Sequence, residues 1–259
     1  MTTLPPSAIV LSASMAVAAG LLGCFALMRR MTLAADALSH VALPGIGLAL
    51  LLRLHPVMGA LVALCLGAIL IWALERRTHL ATETIIGVVF SSALAIGALV
   101  TSGDQLMDAL FGGPGTLPTW EVATGILGAA AVIVFVIAAR DRMIVTLLSP
   151  DVALTTGINV PRLNLLYLLA FAFTIALGLR YLGVLLMGSL IIIPAATARR
   201  LARDLTGMFT ISVIVALAST LAGLWLAARW GKQSGPLIIA IAAGLFLVTA
   251  VGKQRAESR

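Results

Sequence analysis

Asp36 and His40 stand four residues apart in a stretch, residues 32–50, that is otherwise almost wholly apolar. In a helix, positions i and i+4 share a face and lie about 6 Å apart along the axis. A carboxylate and an imidazole aimed at one point can ligate zinc, manganese or iron. The neutral imidazole donates to such an ion and the carboxylate offsets its charge. Three other readings fit the same pair. It could close a structural hydrogen bond between helices or relay a proton, or Asp36 could cap a helix that begins later. Ser14 and Ser39 could add weak oxygens, but a serine in an apolar helix more often bonds its own backbone. One chain offers two strong ligands where zinc usually takes four. A two-fold dimer would bring two pairs together as His2Asp2.

Pro44, Gly45 and Gly47 follow the pair directly. A proline frees a backbone carbonyl one turn earlier, and a glycine lets a neighbouring helix approach closely. These residues are expected to shape the helix beside the pair. Met58, Met107 and Met187 read as packing residues rather than soft ligands. His55 and His79 sit at loop edges, with His55 a weak capture group at best.

The elements that position this chemistry are set by composition. The chain has 259 residues, 61% hydrophobic and 10% charged, with mean hydropathy +1.13. Soluble domains carry about 25% charged residues, so lipid is the expected solvent. The apolar runs are about 20 residues long without strict alternation, which selects helices over a barrel. The expected fold is all-α: a polytopic membrane helix bundle of eight or nine spans, with residues 1–259 as one membrane domain. Nine runs stand out, at residues 7–28, 32–52, 56–74, 82–101, 121–139, 164–179, 182–198, 208–228 and 236–251. The sixth and seventh are separated by only Arg180 and Tyr181, as a tight hairpin or one broken element. The first run has no basic flank before it and no clear cleavage site, so it reads as a retained helix. Cys24 and Cys65 fall inside apolar runs and read as small buried hydrophobes.

The net charge of +7 reports topology rather than nucleic-acid binding. With the N-terminus outside, one set of loops and the C-terminal tail hold Arg29, Arg30, Arg76, Arg77, Arg140, Arg142, Arg162, Arg199, Arg200, Arg203, Lys253, Arg255 and Arg259. The opposite side keeps Arg53, Arg180, Arg229 and Lys232. The rule that basic loops stay in the cytoplasm therefore places the C-terminus inside. Asp104, Asp108 and Glu121 mark an acidic outer loop. The longest inner stretch, residues 141–163, carries a helix-start signal at Pro150 and Asp151 and a terminator at Gly157. A short helix lying on the inner face suits either docking on a partner or simple connection. The chain has no G-x-x-x-x-G-K-[ST] motif, so any ATP would be used by another chain.

The run Asp36-Ala37-Leu38-Ser39-His40-Val41-Ala42-Leu43-Pro44-Gly45 resembles the signature of the permease subunits of zinc/manganese/iron ABC importers. Three further stretches resemble the same family in the same order. They are Glu83-Thr84-Ile85-Ile86-Gly87 with Ala95-Ile96-Gly97, then Asp151-Val152-Ala153-Leu154-Thr155-Thr156-Gly157, then Gly183-Val184-Leu185-Leu186 with Pro194-Ala195-Ala196-Thr197-Ala198-Arg199. Ala35 stands where the family often has a glycine. The proline–glycine ending leans towards the manganese/iron branch, and the short chain towards the zinc branch.

The resemblance implies a homodimeric membrane domain above two ATP-binding cassette subunits, in a bacterial cytoplasmic membrane. It also implies an extracytoplasmic metal-binding protein as donor. It assigns metal contact to Asp36 and His40, and docking on the ATPase to Asp151, Ala153 and Gly157. Pro44, Gly45 and Pro194 shape the helices. No permanent cofactor is expected, the divalent metal (Zn2+ or Mn2+) being cargo, and the chain itself does no bond chemistry. Rival classes are an ATPase-independent secondary transporter or channel, and an ABC permease for a metal chelate. A membrane zinc protease would need H-E-x-x-H, which the chain lacks.

Overall fold

The computed structural model describes residues 6–78, 80–100 and 118–257. Among them there is no strand. Ten helices follow one another: α1 (Pro6–Met28), α2 (Thr32–Leu51), α3 (Pro56–Arg77), α4 (Thr82–Val100), α5 (Thr119–Leu148), α6 (Pro150–Thr155), α7 (Val160–Leu182), α8 (Val184–Leu201), α9 (Leu205–Trp230) and α10 (Ser234–Glu257). Among the described residues, eight of these helices are long and apolar enough to cross a membrane by length and composition. α8 has 18 residues and matches the seventh expected run. Asp104, Asp108, Met107 and His79 lie outside the described residues.

α1 and α8 form the middle. α1 packs on α5, α8 and α9, while α8 also meets α2, α7, α9 and α10. On one side of this pair α2 packs against α3 and α4. Helices in lipid gain little from apolar burial against each other, so small residues and interhelical polar contacts hold them. α1 supplies the small residues: Ala16, Ala18, Ala19 and Gly23 are buried. A Cβ on Gly23 would collide with the backbone carbonyl of Ile191 in α8. Ser212 Oγ donates to the Gly20 carbonyl at 2.8 Å and Tyr167 Oη donates to the Leu22 carbonyl at 3.0 Å. These bonds tie α9 and α7 to α1.

Side-chain contacts gather the basic segments at one end. Arg29, just past α1, donates to Asn164 Oδ1 near the start of α7 and stacks its guanidinium 5.1 Å from the Tyr167 ring centroid. Trp72 Nε1 in α3 donates to the Pro161 carbonyl at 2.8 Å. Thr82 at the start of α4 donates to Glu75 near the end of α3. Arg140 donates to Thr206 at the start of α9, and Arg200 donates to the Ala250 carbonyl in α10. The loops expected to share a side are therefore neighbours. Arg53 follows the end of α2 and Arg229 lies in the last turn of α9, both at the far end.

The hairpin between the sixth and seventh runs turns elsewhere than expected. α7 continues through Arg180 and Tyr181 to Leu182, and the chain reverses at Gly183, with φ 81° and ψ 159°. Only glycine holds that backbone without strain, so a two-residue loop is replaced by a one-residue break. The fifth run also extends further. α5 runs to Leu148, so Arg140 and Arg142 sit on a helix rather than a loop.

Candidate metal-transit site and coupling helix

α2 begins at Thr32, after Met31 in the N-cap position. Asp36 is thus inside the helix, in its second turn, and does not cap it. Its carboxylate Oδ1 lies 3.8 Å from His40 Nε2. That is too long for a hydrogen bond. Two donors each about 2.1 Å from one metal ion stand about 3.4 Å apart at the tetrahedral angle and at most about 4.2 Å apart. The pair therefore has the spacing of two ligands sharing an ion.

Solvation differs between the two. The Asp36 side chain is 54% exposed at the surface of the single chain, and that of His40 is 19% exposed. The imidazole packs edge-on to Phe90 of α4, ring centroids 5.4 Å apart, and its Nδ1 is buried without a hydrogen-bond partner. A structural histidine is ordinarily satisfied on both nitrogens. Phe90 holds the ring in position, and Nε2 is the nitrogen that faces Asp36. The two serines add nothing here: Ser39 Oγ donates to the Ala35 carbonyl and Ser14 Oγ to the Leu11 carbonyl, each at 2.7 Å. Among the described residues no cluster of three or more His, Cys, Asp or Glu forms a ready metal cage.

The residues after the pair explain how α2 is gripped. A Cβ on Gly45 would strike the Gly59 carbonyl of α3, and one on Gly59 would strike the Gly45 carbonyl. The two helices cross backbone to backbone at that point. Gly97 of α4 faces Leu43 and Pro44 at ordinary contact distance, and Gly188 of α8 lies against the Asp36 Cα and Ser39. Three glycines on three helices thus enclose the turn that carries Asp36 to Gly45. Gly59 and Gly188 were not singled out by sequence, because a glycine's close approach shows only when its neighbour is known. Pro194 is buried within α8, which continues as a helix to Leu201. Met187 is fully buried against Gly178, whereas Met58 is exposed. Cys24 is buried, Cys65 is partly buried, and both are free thiols.

The short helix expected between Asp151 and Gly157 forms where the sequence places it. In α6, Pro150 sits in the first turn and the Ser149 side chain accepts from the Val152 N–H. Gly157 ends it with φ 76°. Asp151 and Gly157 are exposed, but Ala153 is fully buried and anchors the helix on the bundle. Val152 and Leu154 are turned outward, 50% and 63% exposed. α6 leads through Asn159, which caps α7 at the Arg162 N–H, to the Asn164 that Arg29 holds. Arg29 lies in turn next to the start of α2. Its burial pushes the guanidinium pKa down from the ordinary value, against the pull of Tyr167 and Glu75.

Comparison with known proteins points the same way as this geometry. The high-affinity zinc uptake system membrane protein ZnuB of Haemophilus influenzae is 32% identical over 241 residues, covering 90% of this chain and 92% of that protein. The manganese import system permease protein ScaB of Streptococcus gordonii is 28% identical over 251 residues, covering 94% and 89%. The solved structure of PsaBC from Streptococcus pneumoniae in complex with Fab superposes with a TM-score of 0.80 at 27% identity, covering 94% of this chain and 89% of that one. With residues 2–253 matching the family described as ABC 3 transport family, the chain belongs to that family.

Proposed function

We propose that this chain, acting as one permease domain, forms the translocation path of an ATP-driven importer for zinc or manganese in a bacterial cytoplasmic membrane. Asp36 and His40 are the transit ligands. The observation that carries this reading is a histidine whose Nε2 is fixed 3.8 Å from a carboxylate, too far for a hydrogen bond, on a membrane-length helix. An ionisable pair at such a place is expensive and is retained for function. The outward exposure of Asp36 supports a second copy facing it, so that two pairs share one ion as His2Asp2. Two ligands from one chain would hold an ion weakly, which suits passage rather than storage.

The exposed Val152 and Leu154 of α6, flanked by Asp151 and Gly157, support docking on ATP-binding cassette subunits. An extracytoplasmic metal-binding protein delivers the ion at the opposite end, where α1 begins. Closure of the ATPases on ATP moves α6, and α7 passes the motion through Asn164 and Arg29 to α2. The spans then rock about the pair and release the ion inward; hydrolysis resets them. The test is uptake of zinc and manganese into vesicles holding the permease with its ATPase. Wild type takes up metal only with ATP, and His40→Ala does not. Uptake that persists without ATPase and collapses with the proton gradient would point instead to a secondary transporter.

A further inference from the structure

The other flank of the bundle carries a feature that metal transit does not use. A groove with a cavity volume of about 130 Å³ opens between α1, α5 and α9. Its walls are apolar: Leu21 and Phe25 of α1, Val136 and Ile137 of α5. At the arginine-rich end it is closed by Arg140, with Thr206 and Thr210 of α9 beside it. Ile137 and Thr210 are exposed, so the groove opens sideways from two membrane-length helices. In a bilayer, lipid can enter a groove that opens this way.

Arg140 is poorly satisfied. One Nη donates to Thr206 Oγ1 at 2.8 Å, the guanidinium lies 5.4 Å from the Phe209 ring centroid, and Nε is buried without a hydrogen-bond partner. Among the described residues no carboxylate pairs with it. The nearby acids are otherwise placed: Asp204 Oδ1 accepts from the Gly207 N–H at 3.0 Å, and Asp141 is exposed. A half-buried cation with a spare N–H stands at the head of an apolar slot. That is the complement of one molecule, an acyl chain ending in an anionic headgroup. A planar guanidinium can give a phosphate two parallel N–H bonds, and basic pockets between membrane helices take acidic lipid headgroups.

We propose that this groove is a binding site for an anionic glycerophospholipid, one acyl chain lying along Val136 and Ile137 and the phosphate accepting from Arg140. The site depends on the chain's residing in a bilayer and is independent of the pair in α2.

The purified full chain in detergent, titrated with phosphatidylglycerol and phosphatidylcholine of the same acyl composition, gives a native mass-spectrometric test. Wild type retains phosphatidylglycerol in preference. Arg140→Gln lowers its retention about fivefold, as one arginine near the headgroup contributes, and leaves phosphatidylcholine unchanged. Arg140→Lys keeps the charge, loses the fork and falls between. Ile137→Trp fills the slot and lowers retention of both lipids. Gel filtration checks that each variant is folded, and Arg142→Gln, outside the groove, changes little. Equal phosphatidylglycerol retention by wild type and both Arg140 variants overturns the site. So does an equal loss in Arg142→Gln, which would mean diffuse charge attraction. Inorganic phosphate bound as tightly as the lipid would overturn the lipid assignment in favour of a free-anion site.

Discussion

Asp36 and His40 differ in what holds them, and their variants should differ accordingly. Phe90 and the surrounding helices fix the imidazole, while the carboxylate is half open at the surface of the chain. On the proposed transit role, His40→Ala removes a nitrogen donor and Asp36→Asn removes the carboxylate charge that offsets the ion's. Loss of an outer-shell partner already costs about 10–100-fold in metal affinity or activity, so metal uptake should fall at least about tenfold in both. Gel filtration should show both variants assembled as wild type. Normal uptake by Asp36→Asn would remove the carboxylate from the path. Phe90→Ala touches no metal; it frees the ring beside it, and should weaken uptake by a smaller factor than His40→Ala. An equal loss in the two would mean that Phe90 holds α2 against α4 rather than orienting the imidazole.

Two helices that cross backbone to backbone leave no room for a methyl group. Gly45→Ala would drive a Cβ into the Gly59 carbonyl, and backbone cannot swing aside as a side-chain tip can. Overpacking of this kind costs about 1–3 kcal/mol, so the melting temperature in detergent should fall clearly. Gly87→Ala, on the open face of α4 with nothing within 4 Å, is the matched control and should leave the melting temperature of the single chain unchanged. A drop in dimer content with Gly87→Ala at unchanged stability would place that face at the contact between copies. Arg29 is the corresponding polar tie. Arg29→Ala leaves Asn164 and Tyr167 without their partner and should destabilise the chain. Asn164→Ala on top of it should add less than it does alone, the signature of a direct pair in a double-mutant cycle. Additive losses would mean the two act separately.

The molecule as a whole has one end where α1, α3, α5, α8 and α10 finish and α2, α4, α7 and α9 start. α6 lies at that end with Val152 and Leu154 outward and Ala153 inward. Leu154→Asp should leave the bundle's stability unchanged and reduce co-purification of the ATPase, with ATP-driven uptake falling in parallel. Ala153→Leu should do the reverse first, lowering stability, because the buried position has no space. Retained ATPase binding by Leu154→Asp would place the docking surface elsewhere on that end of the bundle.

The helical bundle, the span positions and α6 were legible from residue order, because lipid leaves the backbone only one open-chain solution and because Pro150 and Gly157 punctuate locally. Asp36 and His40 were legible as an anomaly of cost: charge in an apolar run. The turn at Gly183 was missed because Arg180 and Tyr181 read as polar loop residues, while the decisive quantity is a positive φ that a string of letters does not carry. The C-terminal end of α5 was missed because charged residues can continue a helix beyond an apolar run. Packing supplied the rest. Gly45 opposite Gly59, Gly188 against Asp36, Ala153 turned inward and Arg140 at the head of a groove are relations between segments distant in the chain. Local chemistry specifies which groups exist; only the crossing of helices decides which are buried, which are paired and which stay exposed, as the Asp36 carboxylate does.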